Sequence, residues 1–516
     1  MSIKNLIQQT QNDPLPYAEK QYQEIIKYLD DNWHNTPHQV IQALNQALGN
    51  LSLKLSSIII AGTNGKSTTI HYLEEILGSK NIAVGSFSSP HFISYNERFK
   101  INGQAISDEE FIQLANQVLQ ITKNLNLKAS SKDILTAMAL ILFTEKKVEL
   151  AIFAQDDLIN KDPVSICSPI ILAIPKITEL DTKQTSDLKD SVIETSSIDL
   201  IIDNIINNIA KKTYVISSDQ NKLSLKTIAE KTKQKNGVWT MSIRKVAPLS
   251  YPFEQLSGRY AALADRIVQT YTEQYCQKES TSKDNANVFK ASRPLKNSKM
   301  IYYKITDDSL KNKKIKNLHL SSIDFWKSIN NNIPNKFQAI TKDDTSVLLD
   351  CADNIDDFNN LFLGIRLLNY KNNFKSISFI VGGIKGRYSP EGLIKLMRSY
   401  FKKNIQIVGL LPISNEIGEE KGTSFNIKEA MNAAVAAKIK AVESQDLISA
   451  INSVFQSINE PKQSSANLSD NNQENLIVIT GSQAIISQYL ELQKKIESTP
   501  SYNLKKLNNQ MISDNL

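Results

Sequence analysis

The chain has 516 residues, 60 basic against 53 acidic side chains for a formal net charge of +7, and 41% hydrophobic and 22% charged residues. That length carries two or three globular cores, and the composition excludes a disordered or fibrous chain. Charges of both signs are spread along it, which argues against a nucleic-acid face. The densest lysine run, KNKKIKN at 311–317, has no interleaved aromatic residues for base stacking. No apolar run approaches the ~20 residues needed to cross a bilayer, and the first twenty residues lack the apolar core of a signal peptide, so the expected location is cytoplasmic, with no membrane partner. Cys167, Cys276 and Cys351 lie far apart with no CxxC pairing, which suggests neither a disulfide framework nor a zinc site.

In chain order, AEKQYQEIIKYLDDNW from Ala18 reads as a helix, IIIAG from Ile58 as a strand, and EEFIQLANQVLQITKNL from Glu109 as a helix with apolar spacing near 3.6. This alternation predicts parallel α/β architecture. SPIILAIP and TYVISS read as further strands on either side of a polar stretch, and a Lys/Asn/Ser-rich insertion is expected near 271–300. From Trp326 the alternation restarts, with TSVLLD, SISFIVGG, IQIVGLL and NLIVITGS as buried strands. The expected organisation is an N-terminal domain over 1–322, a smaller Rossmann-like α/β domain over 323–500, and a tail over 501–516.

Between the strand and helix at 55–77 lies AGTNGKSTT. In a phosphate-binding loop, glycines let successive N–H groups curl inward, a lysine neutralises the outer phosphates, and the following hydroxyl reaches Mg²⁺. Gly62, Thr63, Asn64, Gly65, Lys66, Ser67 and Thr68 supply those parts, although Ile60 stands where the strict GxxxxGK[ST] spacing needs glycine. A plain strand-to-helix turn would not call for Lys66 at a helix start, where the dipole disfavours a cation.

AGTNGKSTT resembles the ATP loop of the Mur ligase superfamily. The following block, GSFSSPHFISYNERFKINGQAISDEEF from Gly85 to Phe111, resembles the folylpolyglutamate synthase and dihydrofolate synthase branch, matching at Ser88, Ser89, Pro90, His91, Asn96, Glu97, Arg98, Asn102 and Gly103. DILTAMALILF is similar to that family's E.LTALAF.YF helix with Asp133 for glutamate, PNKFQ stands where PGRFE is usual, VLLDCADN where ILDGAHN is usual, and VITGS matches a late strand-and-turn motif. The resemblance is collinear over most of the chain and strongest at 55–143. It implies a Mur-ligase-like P-loop domain with a mostly parallel sheet, followed by the smaller α/β domain.

It also implies an ATP-dependent ligase. ATP phosphorylates a folate or dihydropteroate carboxylate, and the amine of L-glutamate attacks the acyl phosphate in a cleft that closes between two domains and excludes water. Carried over residue by residue, Gly62 to Thr68 hold the phosphates with Lys66 as the catalytic cation. Lys336 and Asp350 reach ATP, Ser67 and Ser89 ligate Mg²⁺, and Ser88, Pro90, His91 and Asn354 bind substrate. The resemblance implies small-molecule partners and a monomer.

The chain also departs from the family. Ala154 takes the place of a metal-binding glutamate, Asp181 that of a metal-binding histidine, Ala264 that of an asparagine that contacts ATP, and Asp353 that of the DGAHN histidine. Asp156, Asp157, Asp162 or Asp181 are candidates to replace the lost oxygens. Two alternatives stay open: a relative that binds ATP without ligase turnover, and a Mur-type ligase for another substrate, to which the GKST ending is closer.

Overall fold

The structure is a computed structural model that describes residues 18–158, 161–178, 197–207, 209–218, 220–242, 253–276, 329, 338–342, 345–402, 404–413, 422–459 and 474–498. The expected domain boundary near 322, the insertion beyond 276, the tail over 501–516, Lys336 and Asp181 lie outside the described residues. The described elements sort into two compact units.

The first unit is built on an eight-stranded sheet in the order β4-β3-β2-β5-β1-β6-β7-β8. Its strands are β1 (Ser57–Ala61), β2 (Val84–Phe87), β3 (Phe99–Ile101), β4 (Gln104–Ala105), β5 (Leu150–Gln155), β6 (Ile171–Ile174), β7 (Tyr214–Ser217) and β8 (Val238–Met241). All neighbours pair parallel except at the β2-β3-β4 edge. The helices are α1 (Ala18–Asp31), α2 (Gln39–Ala47), α3 (Lys66–Ser79), α4 (Asp108–Asn124), α5 (Ser131–Glu145), α6 (Ser197–Ile206), α7 (Lys222–Gln234) and α8 (Phe253–Tyr275).

A parallel sheet covered on both faces needs apolar residues on both sides of each strand, which is why IIIA reads as a continuous run. Ile59 and Ala61 of β1 pack with the helices α1, α2, α4, α5, α6 and α7. Ile58 and Ile60 point the other way, onto α3 and α8. β3 and β4 are joined by Asn102 and Gly103, both at positive φ (50° and 80°), the backbone a two-residue hairpin turn requires. Helix starts follow the sequence: Ser107 caps α4 on Glu110 N, and Ser130 and Asp133 close a reciprocal capping box on α5.

The second unit holds a six-stranded sheet in the order β13-β12-β11-β14-β10-β9. The strands are β9 (Gln338–Lys342), β10 (Thr345–Leu349), β11 (Ser376–Val381), β12 (Ile405–Leu410), β13 (Ala441–Glu443) and β14 (Asn475–Thr480), and only β9 runs antiparallel to its neighbour. The helices are α9 (Ile355–Asn372), α10 (Pro390–Phe401), α11 (Ile427–Ala437), α12 (Leu447–Asn459) and α13 (Gln483–Ser498). From β10 through β13 the chain steps across the sheet in one direction, so right-handed crossovers put α9, α10 and α11 on one face. The return to β14 reverses direction and places α12 on the other, with α13. The two apolar clusters divide in this way, Phe362, Leu393 and Ala430 in one and Ala450, Val454 and Ile485 in the other.

Candidate functional site

The loop from Gly62 to Gly65 leaves the C-terminal end of β1, the edge of a parallel sheet where α/β proteins bind ligands. It is pinned to the segment after β6. Thr63 N donates to Lys176 O at 2.8 Å, and Thr63 Oγ1 accepts from Thr178 N at 3.0 Å. The approach is so close that a Cβ on Gly62 would lie 2.6 Å from Lys176 O. Gly65 is the N-cap of α3 at φ +84°, and a Cβ there would lie 2.0 Å from the Tyr260 ring of α8. Thr69 Oγ1 closes the first turn by donating to Gly65 O at 2.7 Å.

Lys66 is the first residue of α3, where the helix dipole works against it. Two acceptors offset that: Nζ donates to Gly62 O at 3.0 Å and lies 3.4 Å from Asp156 Oδ1, just beyond the end of β5. Ser67 is exposed. Thr68 is 3% exposed, and its Oγ1 has no hydrogen-bond partner among the described residues.

A cavity of the first unit opens beside the loop, lined by Ser89, Arg98, Lys132, Ala154, Asp156 and Asp162 among others. Its hub is Arg98, 2% exposed, whose guanidinium lies over the rings of Trp33 (5.2 Å) and Tyr95 (4.9 Å). Arg98 Nη1 donates to Ser89 Oγ at 2.5 Å, and Arg98 Nε to His91 Nδ1 at 2.9 Å. Tyr95 OH in turn donates to Asp30 Oδ1 at 2.6 Å and accepts from Trp33 Nε1 at 3.2 Å. Burial, with the Arg98 charge beside it, pushes the His91 imidazole down to about 3. His91 is therefore neutral, and because Nδ1 accepts from Arg98, Nε2 carries the proton and can donate. Ser88 N donates to Arg98 O at 3.0 Å, and Pro90 is exposed.

The aspartates after β5 have separate jobs. Asp162 is buried, and its carboxylate accepts from Asp156 N (3.0 Å), Asp157 N (2.9 Å) and Val164 N (2.9 Å), which clamps the segment. Burial raises its pKa despite these bonds. Asp157 pairs with Lys132 at 3.8 Å. Among the described residues no group of three His, Cys, Asp or Glu side chains is placed to hold a metal ion.

In the second unit, Asp350 follows β10, and its Oδ1 accepts from Ala352 N at 2.9 Å. Asn354 is the N-cap of α9, accepting from Asp357 N at 3.0 Å and donating to the carboxylates of Asp353 and Asp357, each at 3.1 Å. Both side chains thus shape the turn into α9.

No protein-family model matches the chain. It is 32% identical over 142 residues to the dihydrofolate synthase/folylpolyglutamate synthase of Bacillus subtilis, covering 27% of this chain and 33% of that protein. To the enzyme of the same description from Buchnera aphidicola (subsp. Baizongia pistaciae) it is 27% identical over 241 residues, 44% of this chain and 55% of that protein. Sequence similarity therefore spans from about a third to about half of these relatives' length. Solved structures match over nearly all of it. The Mycobacterium tuberculosis folylpolyglutamate synthase complexed with ADP superimposes with a TM-score of 0.68 at 15% identity, over 92% of this chain and 98% of that one. A bifunctional folylpolyglutamate synthase/dihydrofolate synthase with Mn, AMPPNP and L-glutamate bound gives 0.65 at 16% identity, over 93% and 100%. Over part of its length the chain is similar in sequence to dihydrofolate and folylpolyglutamate synthases, and it shares their fold.

Its divergence from those synthases is now visible residue by residue. Ala154 is 3% exposed and brings a methyl group, without a donor atom, to the cavity wall. Ala264 is fully buried in α8 among the apolar residues that cover α3. Asp133 keeps a structural task that a carboxylate performs at any length: it closes the capping box of α5 and accepts from Thr36 Oγ1 at 2.6 Å. The role of Arg98 is not readable from sequence, because Trp33, one of the rings it covers, lies 65 positions away. The partnership of Asp156 with Lys66 was likewise invisible, since 90 positions separate them.

Proposed function

We propose that the protein is an ATP-dependent ligase that joins L-glutamate to a folate or dihydropteroate carboxylate through an acyl phosphate. The observation that carries this reading is Lys66, held at the start of α3 by a loop whose glycines fit nowhere else, with its ammonium on Gly62 O and Asp156. A basic side chain at a helix N-terminus that follows a glycine-bearing turn is the arrangement a triphosphate needs. ATP is a substrate of the reaction: its γ-phosphoryl group passes to the carboxylate, the glutamate amine displaces phosphate, and ADP and phosphate leave. Lys66 offsets charge on the phosphates, and the peptide N–H groups of Gly65 to Thr68 orient them. His91, neutral with its proton on Nε2, is a donor for the pteroate substrate, with Ser88 and Pro90 beside it. The resemblance of their motifs extends the proposal to Lys336 and Asp350 as contacts to ATP and to Asn354 as a contact to substrate.

The donor set near the loop fits Mg²⁺ only in its usual phosphate-bound form, in which one or two protein oxygens are completed by phosphate and water. Ser67, Ser89 and Asp156 are the candidates from which those one or two oxygens would come, and the ion would supply neutralisation of phosphate charge. Ala154 favours a second reading, a protein that binds ATP with little or no turnover, because its methyl group cannot help hold a further cation. The test is ADP release. Under the ligase reading it requires both glutamate and a pteroate acceptor and is lost in Lys66→Ala. ADP release unaffected by either co-substrate, or retained in that variant, would contradict it.

A further inference from the structure

Asp156 is the one aspartate of its segment poised on the loop. Asp162 has its oxygens on three backbone N–H groups, and Asp157 faces Lys132. The Asp162 clamp holds the Asp156 main chain through its peptide N–H at 3.0 Å, and the Asp156 carboxylate lies 3.4 Å from Lys66 Nζ, with side chains only 15% (Lys66) and 21% (Asp156) exposed. A phosphate group that takes Lys66 therefore settles beside the Asp156 carboxylate. Two negative groups sharing one ammonium in a half-buried site repel each other, and a divalent cation between them reverses the sign. A second observation lies in the same turn: the Thr68 hydroxyl, 3% exposed, has no hydrogen-bond partner among the described residues.

We propose that Asp156 makes nucleotide binding at this loop conditional on a divalent cation: it competes for Lys66 when no cation is present and becomes a cation ligand when one arrives with the phosphates. This rests on the reading of the loop as an ATP site. It assigns to Asp156 an oxygen near the cavity wall where Ala154 offers none, and it assigns Asp162 the positioning of that carboxylate.

The experiment is calorimetric titration of AMPPNP into the full chain, in excess MgCl₂ and in EDTA, for the unaltered protein and Asp156→Asn. In the unaltered protein Mg²⁺ should tighten binding by at least ~30-fold, since repulsion in a half-buried site is converted to attraction. In Asp156→Asn, binding in EDTA should become about tenfold tighter, because Lys66 is released to the phosphates, and the Mg²⁺ gain should fall below ~3-fold. Asp157→Asn should keep the full gain. A full Mg²⁺ gain in Asp156→Asn, or an equal loss in Asp157→Asn, overturns the assignment of Asp156 while leaving the ATP reading intact. Absence of binding by the unaltered protein in both buffers overturns the ATP reading and this inference with it. Asp156→Ala guards against an asparagine that still ligates, and it should behave as Asp156→Asn.

Discussion

Replacing Gly65 with alanine tests the loop at the point where backbone and packing constrain it together. At φ +84° an alanine pays about 1–2 kcal/mol for the left-handed conformation. Its Cβ would also sit 2.0 Å from Tyr260 Cε1, 2.4 Å from Cζ and 2.6 Å from Cδ1, on a ring that is 6% exposed and packed in the α3–α8 core. Forcing that ring aside costs about 1–3 kcal/mol more, as overpacking does elsewhere. The expected destabilisation of the first unit is therefore about 2–5 kcal/mol. Urea unfolding followed by the fluorescence of Trp33 and Trp239, both in that unit, measures it. A double-mutant cycle with Tyr260→Leu separates the two costs: in the leucine background Gly65→Ala should cost only the conformational part, about 1–2 kcal/mol. An equal cost in both backgrounds would refute the ring clash, and a cost under about 0.5 kcal/mol in either would refute the left-handed strain as well. Nucleotide binding should be lost in Gly65→Ala under native conditions, since the turn that aims the N–H groups depends on this residue.

Three further outcomes are expected. His91 has a folded pKa near 3, below its unfolded value near 6.5, so the unfolded chain binds the extra proton between those limits; stability should fall as pH drops through that window, by up to about 1.4 kcal/mol per unit, and His91→Gln should flatten the slope in pH-dependent unfolding. Arg98→Met removes a buried cation that lowers the His91 pKa, so the His91 imidazole should titrate at higher pH by NMR, while Ser89 and the Trp33–Tyr95 pair lose their shared partner and the first unit loses about 3–5 kcal/mol. Asp133→Ala opens the capping box of α5 and should cost about 1–2 kcal/mol, read from the same unfolding curves, with AMPPNP affinity unchanged.

Much of the fold was legible because parallel strands buried on both faces write themselves as apolar runs. β1, β6 and β7, and in the second unit β10, β11, β12 and β14, coincide with the runs picked out in the sequence. β8, VWTM, did not stand out: it is short, half-exposed at a sheet edge and lacks a continuous apolar character. α7 is lysine-rich and carries a weak apolar pattern, whereas α6, SIDLIIDNII, is apolar but follows a long polar stretch. The phosphate loop was legible because glycine and lysine in that order have few other uses. What the sequence did not disclose were particular side-chain pairings: Arg98 over Trp33 and Tyr95, Asp162 clamping Asp156, and Asp156 on Lys66. Arg98 on Trp33 and Asp156 on Lys66 join residues on different elements, and a single sequence carries no signal for contacts of that kind. Asp350 and Asn354 show the converse, since a helix cap and a ligand contact call for the same side chains and only the local hydrogen bonds are fixed by the fold.

The most direct measurement is mass spectrometry of the pteroate species after the unaltered protein is incubated with ATP, Mg²⁺, L-glutamate and either dihydropteroate or a folate monoglutamate. The account predicts a product one glutamate heavier than the acceptor, formed together with an equal amount of ADP and absent when Lys66→Ala replaces the unaltered chain. AMPPNP binding without any heavier product from either acceptor, after prolonged incubation, would contradict it and establish a nucleotide-binding relative that no longer ligates.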